Sequence, residues 1–235
     1  TGEPFLGEFR VPEPLKVAYF DLELGSRLAR NWFIDIRPEY DNVMYCDLKG
    51  FGRKLDVRSD AVFNHLADVL RRNSIDVVVI DPLSALLSSL GINENSNEEV
   101  RPLLDRLDAV VAEAGCKGLV IIHHTGKDST KGARGASAIQ DWSSVNGYLT
   151  KSDNSPSKFQ AKGRDVQVRS VELSYEPDTR RLSVEHSGAE GELFFSCRRG
   201  QKLTTAQVMD GLGISKPTSI KLLQEHGWEI SEPSV

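Results

Sequence analysis

Several features are scarce in these 235 residues, and each scarcity narrows the field. Cysteine occurs three times, at Cys46, Cys116 and Cys197. An odd number at such wide spacing makes neither a disulfide framework nor a zinc-binding pattern, and a reducing cytoplasm is the expected setting. Long apolar runs are missing, and none approaches the roughly 18 residues of a membrane-spanning helix. The opening stretch, TGEPFLGEFRVPEPL, has neither the basic start nor the apolar centre of a secretory leader. Positive charge is not in excess: 29 Lys and Arg face 34 Asp and Glu, for a net charge of −5. Any contact with nucleic acid must therefore come from a local patch. Internal repeats and low-complexity tracts are absent too.

What remains is a chain with 39% hydrophobic residues, enough for one sizeable core and a small appendage. KVAYFDL (16–22), NVMYCDL (42–48), DVVVID (76–81) and KGLVIIHH (117–124) read as buried strands. Helical segments alternate with them. GSRLARNWFIDI places Leu28, Trp32 and Ile36 on one side. RSDAVFNHLADVLRRN repeats Val62, Phe63, Leu66, Val69 and Leu70 at helical spacing. After the polar loop 91–98, a third helix carries Val100, Leu103, Leu104, Leu107, Val110 and Val111, with Pro102 expected to delay or kink its start. The 76–81 strand is apolar throughout, as expected of a parallel strand covered on both faces. This alternation predicts an α/β fold with a mostly parallel sheet flanked by helices.

The pattern changes after residue 124. TGKDSTKGARG (125–135) is a loop rich in glycine and lysine, followed by a short helix near 137–144. That helix leads into NGYLTK, after which KFQAKGR and SVELSYEPDTRRLSVEH read as strands, with a hairpin turn at Pro177-Asp178-Thr179. The last segment, TTAQVMDGLGISKPTSIKLLQEHGWEI, has helix-turn-helix spacing, with a turn at Gly213 and a second helix from about Lys216. Val208, Leu212, Ile214, Ile220 and Leu223 are its expected core. The expected domains are a core over 1–186, a linker over 187–202 and a tail over 203–235.

Polar residues gather where ligands bind an open parallel sheet, at the carboxyl ends of the strands. They are Asp21 and Glu23, Asp81, His123 and His124, and then Lys127, Lys131 and Arg134 in the following loop. Phosphoryl transfer needs a metal ion, a group that orients water, and cations that hold the transition state. Asp81 suits Mg2+, directly or through water. Glu23 suits the attacking water, and His124 or His123 the γ-phosphate. Lys127, Lys131 and Arg134 suit phosphates or DNA. Each residue also has an ordinary structural use. A strand-end carboxylate often caps a turn, so one of Asp21 and Glu23 has a structural reading. One of two adjacent histidines is commonly a packed, neutral imidazole, and loop lysines are commonly just solvated. The phosphate-gripping motif G-x-x-x-x-G-K-S/T does not occur in the chain.

Taken in order, KVAYFDLELGSRLAR, DVVVIDPLSAL, VIIHHTGK and KGARGASAIQD resemble the RepA-like branch of the RecA-type ATPases, relatives of hexameric helicases. The likeness spans roughly 16–150. It implies a RecA-like sheet that lacks its first strand and phosphate loop, so that the chain reads as truncated before that loop, with a degenerate, non-hydrolysing relative as the rival account. It also implies ATP and Mg2+ as cofactors, single-stranded DNA as partner, and a homo-oligomeric ring of six. By the same resemblance Glu23 is the catalytic carboxylate, Asp81 the Walker B aspartate, and His124, with His123 beside it, the sensor. Arg134 falls in an R-G-A-S stretch after a DNA-facing loop. Lys162 and Arg164 match a K-x-R element that reaches a neighbouring subunit's site, although a charged strand edge explains them equally well. The helix after Arg134 offers no second arginine. The alternatives are a DNA-binding replication or regulatory module without catalysis and a relative of RadA-like recombinases.

If Lys202, Lys216 and Lys221 of the tail grip DNA, log affinity falls steeply with log salt between about 50 and 200 mM. Fluorescence anisotropy against labelled DNA measures this slope. A flat slope removes the tail from DNA contact.

Overall fold

The computed structural model describes residues 2–36, 42–124, 136–152, 155–185, 204–212 and 216–225. The chain divides into two compact units: Glu13–Asn146 with Lys162–Val166, and Gly2–Pro12 with Gly147–Ala161 and Gln167–Val235.

In the first unit the alternating pattern becomes β1 (Val17–Asp21), α1 (Ser26–Ile36), β2 (Val43–Asp47), α2 (Asp60–Arg72), β3 (Val77–Asp81), α3 (Leu83–Ser89), α4 (Asn97–Ala114), β4 (Gly118–Ile121) and α5 (Ser137–Trp142). The strands lie in the order β2-β1-β3-β4. Every pairing is parallel, with Val17 level with both Val43 and Val77, and Val77 level with Gly118. Side chains alternate between faces of a strand, so one register fixes both faces at once. Ala18, Phe20, Val78 and Ile80 point into a core shared with Leu66 and Leu70 of α2, Leu83, Leu86 and Leu87 of α3, and Leu103, Leu104 and Leu107 of α4.

The opposite face is only partly covered. Val77, Val79 and Asp81 of β3 are half-buried, so the expectation of two fully covered faces fails for this strand. Val120 and Ile122 are 45% and 41% exposed beside it. Among the described residues no strand pairs with the outer edge of β4. On α1, Leu28 and Trp32 share a side as expected, but are outward, with 43% and 38% exposure, while Ala29 is buried; the side chain of Ile36 lies outside the described residues.

Helix α4 shows how local chemistry sets boundaries. The Ser96 hydroxyl accepts the Glu99 N–H, Glu98 and Glu99 supply negative charge to the first turn, and Gly115 ends the helix at φ 77°. The helix begins a full turn before Pro102, which it contains, so the expected late start is corrected. The serine cap and acidic first turn outweigh the single amide that proline removes.

The second sheet runs β5 (Val145–Ser152), β6 (Ser155–Gly163), β7 (Gln167–Glu176) and β8 (Arg181–Val184), in that order. Strands β7 and β8 are antiparallel, pairing Leu173 with Val184, and residues 177–180 form the turn between them. In the second unit Phe5, Phe9 and Phe159 make an aromatic cluster, with Phe5 and Phe159 edge-on at 5.5 Å. Two helices follow in the same unit, α6 (Thr205–Leu212) and α7 (Lys216–Glu225). Val208, Leu222 and Leu223 are buried there. Gly213, Ile214 and the linker 187–202 lie outside the described residues.

Leu104→Ala is expected to lower the stability of the first unit by about 3 kcal/mol, since it empties a fully buried site. Leu28→Ala is expected to change it by less than about 0.5 kcal/mol. Chemical denaturation followed by circular dichroism compares the two.

Candidate active site at the strand ends

The carboxyl ends of three neighbouring strands each carry an aspartate. Asp47, Asp21 and Asp81 are level with one another in the ladders β2-β1 and β1-β3. They differ in what they hold. Asp21 is 1% exposed, and its Oδ1 accepts the N–H groups of Glu23 and Leu24, both at 2.8 Å. Its Oδ2 accepts the Gly25 N–H at 3.0 Å and the Tyr45 hydroxyl. Burial pushes this carboxyl up, but the Tyr45 hydroxyl and the three amides outweigh burial and hold it below its ordinary value. Asp47 Oδ2 accepts the Ser26 hydroxyl and, at 2.7 Å, the Ser26 N–H that opens α1. Those two bonds, with the Lys49 N–H, hold Asp47 below its ordinary value as well. Asp81 takes no backbone N–H among the described residues, and its Oδ2 accepts the Tyr19 hydroxyl. Two of the three aspartates therefore build the β1–α1 turn, and the third has coordination capacity left.

The turn that Asp21 grips carries Glu23. Its side chain is exposed, with Oε2 3.4 Å from Nε2 of His124. His124 is delivered by an extension of β4, in which Ile122 N–H donates to the Ile80 carbonyl and Leu83 N–H to the Ile122 carbonyl, each at 2.9 Å. The Leu22 N–H donates to the Asp81 carbonyl at 2.8 Å, so the β1 turn and the end of β3 are bonded neighbours. The fold thus gathers Asp81, Glu23 and His124 at one sheet edge. His123, next in the chain, is half-buried.

The other expected residues are not gathered there. Lys127, Lys131 and Arg134 lie outside the described residues. Lys162 is the penultimate residue of β6 and Arg164 follows the strand; both are exposed, and neither side chain bonds to Asp21, Glu23, Asp81 or His124. Asp47, Tyr19 and Tyr45 were not singled out in the sequence. Their signal was present all the same: YFD and YCD end two strands with the same aromatic-x-aspartate spacing.

The donor set suits magnesium better than a protein-only metal cage. Among the described residues no group of three or more His, Cys, Asp or Glu could hold a metal ion. Mg2+ is usually bound through one or two carboxylates together with substrate phosphates and water. Asp81 provides such a carboxylate, and the phosphate-gripping loop is not in this sequence.

The profile of a family described as AAA domain matches residues 1–130, more than half of the chain. The chain belongs to the AAA domain family. This places it in the P-loop NTPase superfamily, consistent with a parallel sheet flanked by helices. No curated protein matches this AAA domain. Among solved structures, the KaiC-like protein PH0186 from the hyperthermophilic archaeon Pyrococcus horikoshii OT3 is similar at 14% identity and a TM-score of 0.48, over 73% of this chain and 76% of that one. A likeness of that size carries no argument about this AAA domain's activity. No helix among its described residues is long and apolar enough to cross a membrane.

Asp21→Asn is expected to destabilise the AAA domain by about 2 kcal/mol, because a charged acceptor of three amides becomes a neutral one. The sign of the pH dependence follows from the lowered value. The contribution of Asp21 is complete above its ordinary 3.8 and is lost as pH falls through the lower folded value. Acid unfolding of the Asn variant, followed by circular dichroism, is expected to lack that component.

Proposed function

We propose that this chain supplies the metal- and water-handling part of an ATP-hydrolysing site in a RepA-type ring motor that acts on DNA. The observation that carries the reading is the contrast among the three strand-end aspartates. Asp81 alone has no backbone amide on it, and it stands beside the turn that carries Glu23 next to His124. In this reading Asp81 holds Mg2+, whose chemistry is to neutralise charge on the phosphates. Glu23 orients the attacking water and accepts its proton. His124 responds to the γ-phosphate and, through its contact with Glu23, links phosphate state to the base. His123 supports the histidine pair from its half-buried position.

The remaining roles rest on the sequence likeness. Lys127, Lys131 and Arg134 contact phosphates or single-stranded DNA, and Lys162 and Arg164 reach the site of a neighbouring subunit in a homo-oligomeric ring. This sequence offers no G-x-x-x-x-G-K-S/T loop for gripping phosphates. The outer edge of β4, with Val120 and Ile122 exposed beside it, is suited to receive the strand that leads into such a loop. A non-catalytic DNA-binding role has one observation in its favour: α6 and α7 pack around Val208 and Leu223, at the spacing of a helix-turn-helix pair.

The test uses the coding frame extended upstream to include a G-x-x-x-x-G-K-S/T loop. Mg2+-dependent ATP hydrolysis is expected, with stimulation by single-stranded DNA. Glu23→Gln is expected to reduce turnover by about 10²- to 10⁴-fold while sparing ATP binding. Unchanged turnover in that variant removes Glu23 from the mechanism. Absence of such a loop upstream, or of turnover with it, ends the catalytic reading.

A further inference from the structure

The two tyrosines on the partly covered face of the sheet are not explained by packing alone. Tyr19 and Tyr45 are level with each other on neighbouring parallel strands, and their rings stack with centroids 6.3 Å apart and 22° between planes. Phe33 of α1 meets the Tyr45 ring edge-on at 5.3 Å. Each phenol donates its single proton to a different strand-end carboxylate, Tyr19 to Asp81 Oδ2 and Tyr45 to Asp21 Oδ2. The two carboxylates do different work. Asp21 grips the amides of Glu23, Leu24 and Gly25, so its orientation sets the turn that presents Glu23. Asp81 has no partner among backbone amides, so Tyr19 is its orienting contact among the described residues.

We propose that Tyr19 and Tyr45 are a pair of positioning residues, which fix the metal-holding carboxylate of Asp81 and the water-orienting Glu23 relative to each other through one stacked aromatic unit. The inference rests on the reading of Asp81 as the Mg2+ ligand and Glu23 as the base. A carboxylate free to rotate about its last bond presents many orientations to a metal, and only some of them bind. A hydroxyl on Oδ2 selects one orientation and leaves Oδ1 to the ligand. Tyrosine suits this task because its ring is held on both sides of the donor, by the strand below and by its stacked neighbour. Neither tyrosine meets the reacting atoms.

The upstream-extended protein with ADP bound tests this, with Mn2+ as the probe in place of Mg2+. Paramagnetic broadening of amide signals around Asp81 gives the affinity. Tyr19→Phe keeps the ring and removes only the hydroxyl, and is expected to weaken Mn2+ binding about tenfold, as is typical of groups that orient a metal ligand. Tyr45→Phe is expected to leave Mn2+ affinity nearly unchanged and to speed hydrogen exchange at the Glu23, Leu24 and Gly25 amides about tenfold. Val79→Ala is the structural control. It removes side-chain volume level with Tyr19 without touching either hydroxyl, and is expected to lower stability while leaving both readouts in place. Asp81→Asn separates the two levels of the argument. If that variant binds Mn2+ as the parent does, or the parent shows no binding near Asp81, the metal reading falls and takes the tyrosine pair with it. If Asp81→Asn loses binding while Tyr19→Phe keeps it, the metal reading stands and the tyrosine inference is overturned.

Discussion

The buried carboxylate of Asp21 is the constraint on which the rest of the site depends. A charge removed from water is tolerated only where it is fully engaged, and Asp21 is engaged by three consecutive amides and one phenol. Those bonds bend the chain away from β1 at once, so that Glu23 leaves the sheet while the β1 ladder continues underneath through Leu22 and Leu48. Asp47 performs the matching task one strand over, holding Ser26 at the start of α1. Together the two aspartates convert a strand end into a rigid shelf. On that shelf Glu23 meets His124, which follows β4, and beside it lies the carboxylate of Asp81, held by the Tyr19 hydroxyl. The acidic row is therefore not one cluster with one purpose. Two members shape the backbone, and the third accepts a phenol and no backbone amide among the described residues.

Much of this was legible in the residues. Apolar runs of strand length alternating with helical stripes are a direct statement about parallel pairing, because each strand must be followed by enough chain to cross over. The carboxylates and histidines at the strand ends could be placed from that alone. The division of labour among Asp21, Asp47 and Asp81 could not. It depends on which amides lie within hydrogen-bonding reach, which is a property of the turns rather than of the spacing. Asp47 looked like a strand terminus and nothing more, and the tyrosines looked like sheet-filling aromatics. The stripe of Leu28 and Trp32 misled in the opposite sense. Periodicity reports that residues share a side of a helix, and is silent on whether that side finds a partner within the chain.

The partial cover of the sheet has the same origin. One face of β1 and β3 is sealed by Ala18, Phe20, Val78 and Ile80 against α2, α3 and α4. The other face carries Tyr19, Tyr45, Val79 and Val120, and retains solvent. A face of this kind can hold polar donors such as phenol hydroxyls without leaving them stranded, since water reaches what protein does not. The positioning hydroxyls therefore occur on the open face, and the sealed face is purely aliphatic and aromatic.

Among the described residues the outer edge of β4 has no strand paired with it. A row of unpaired backbone donors and acceptors, flanked by exposed Val120 and Ile122, is a template for any extended segment that comes near. A strand added there finds backbone hydrogen bonds and apolar cover in the same place.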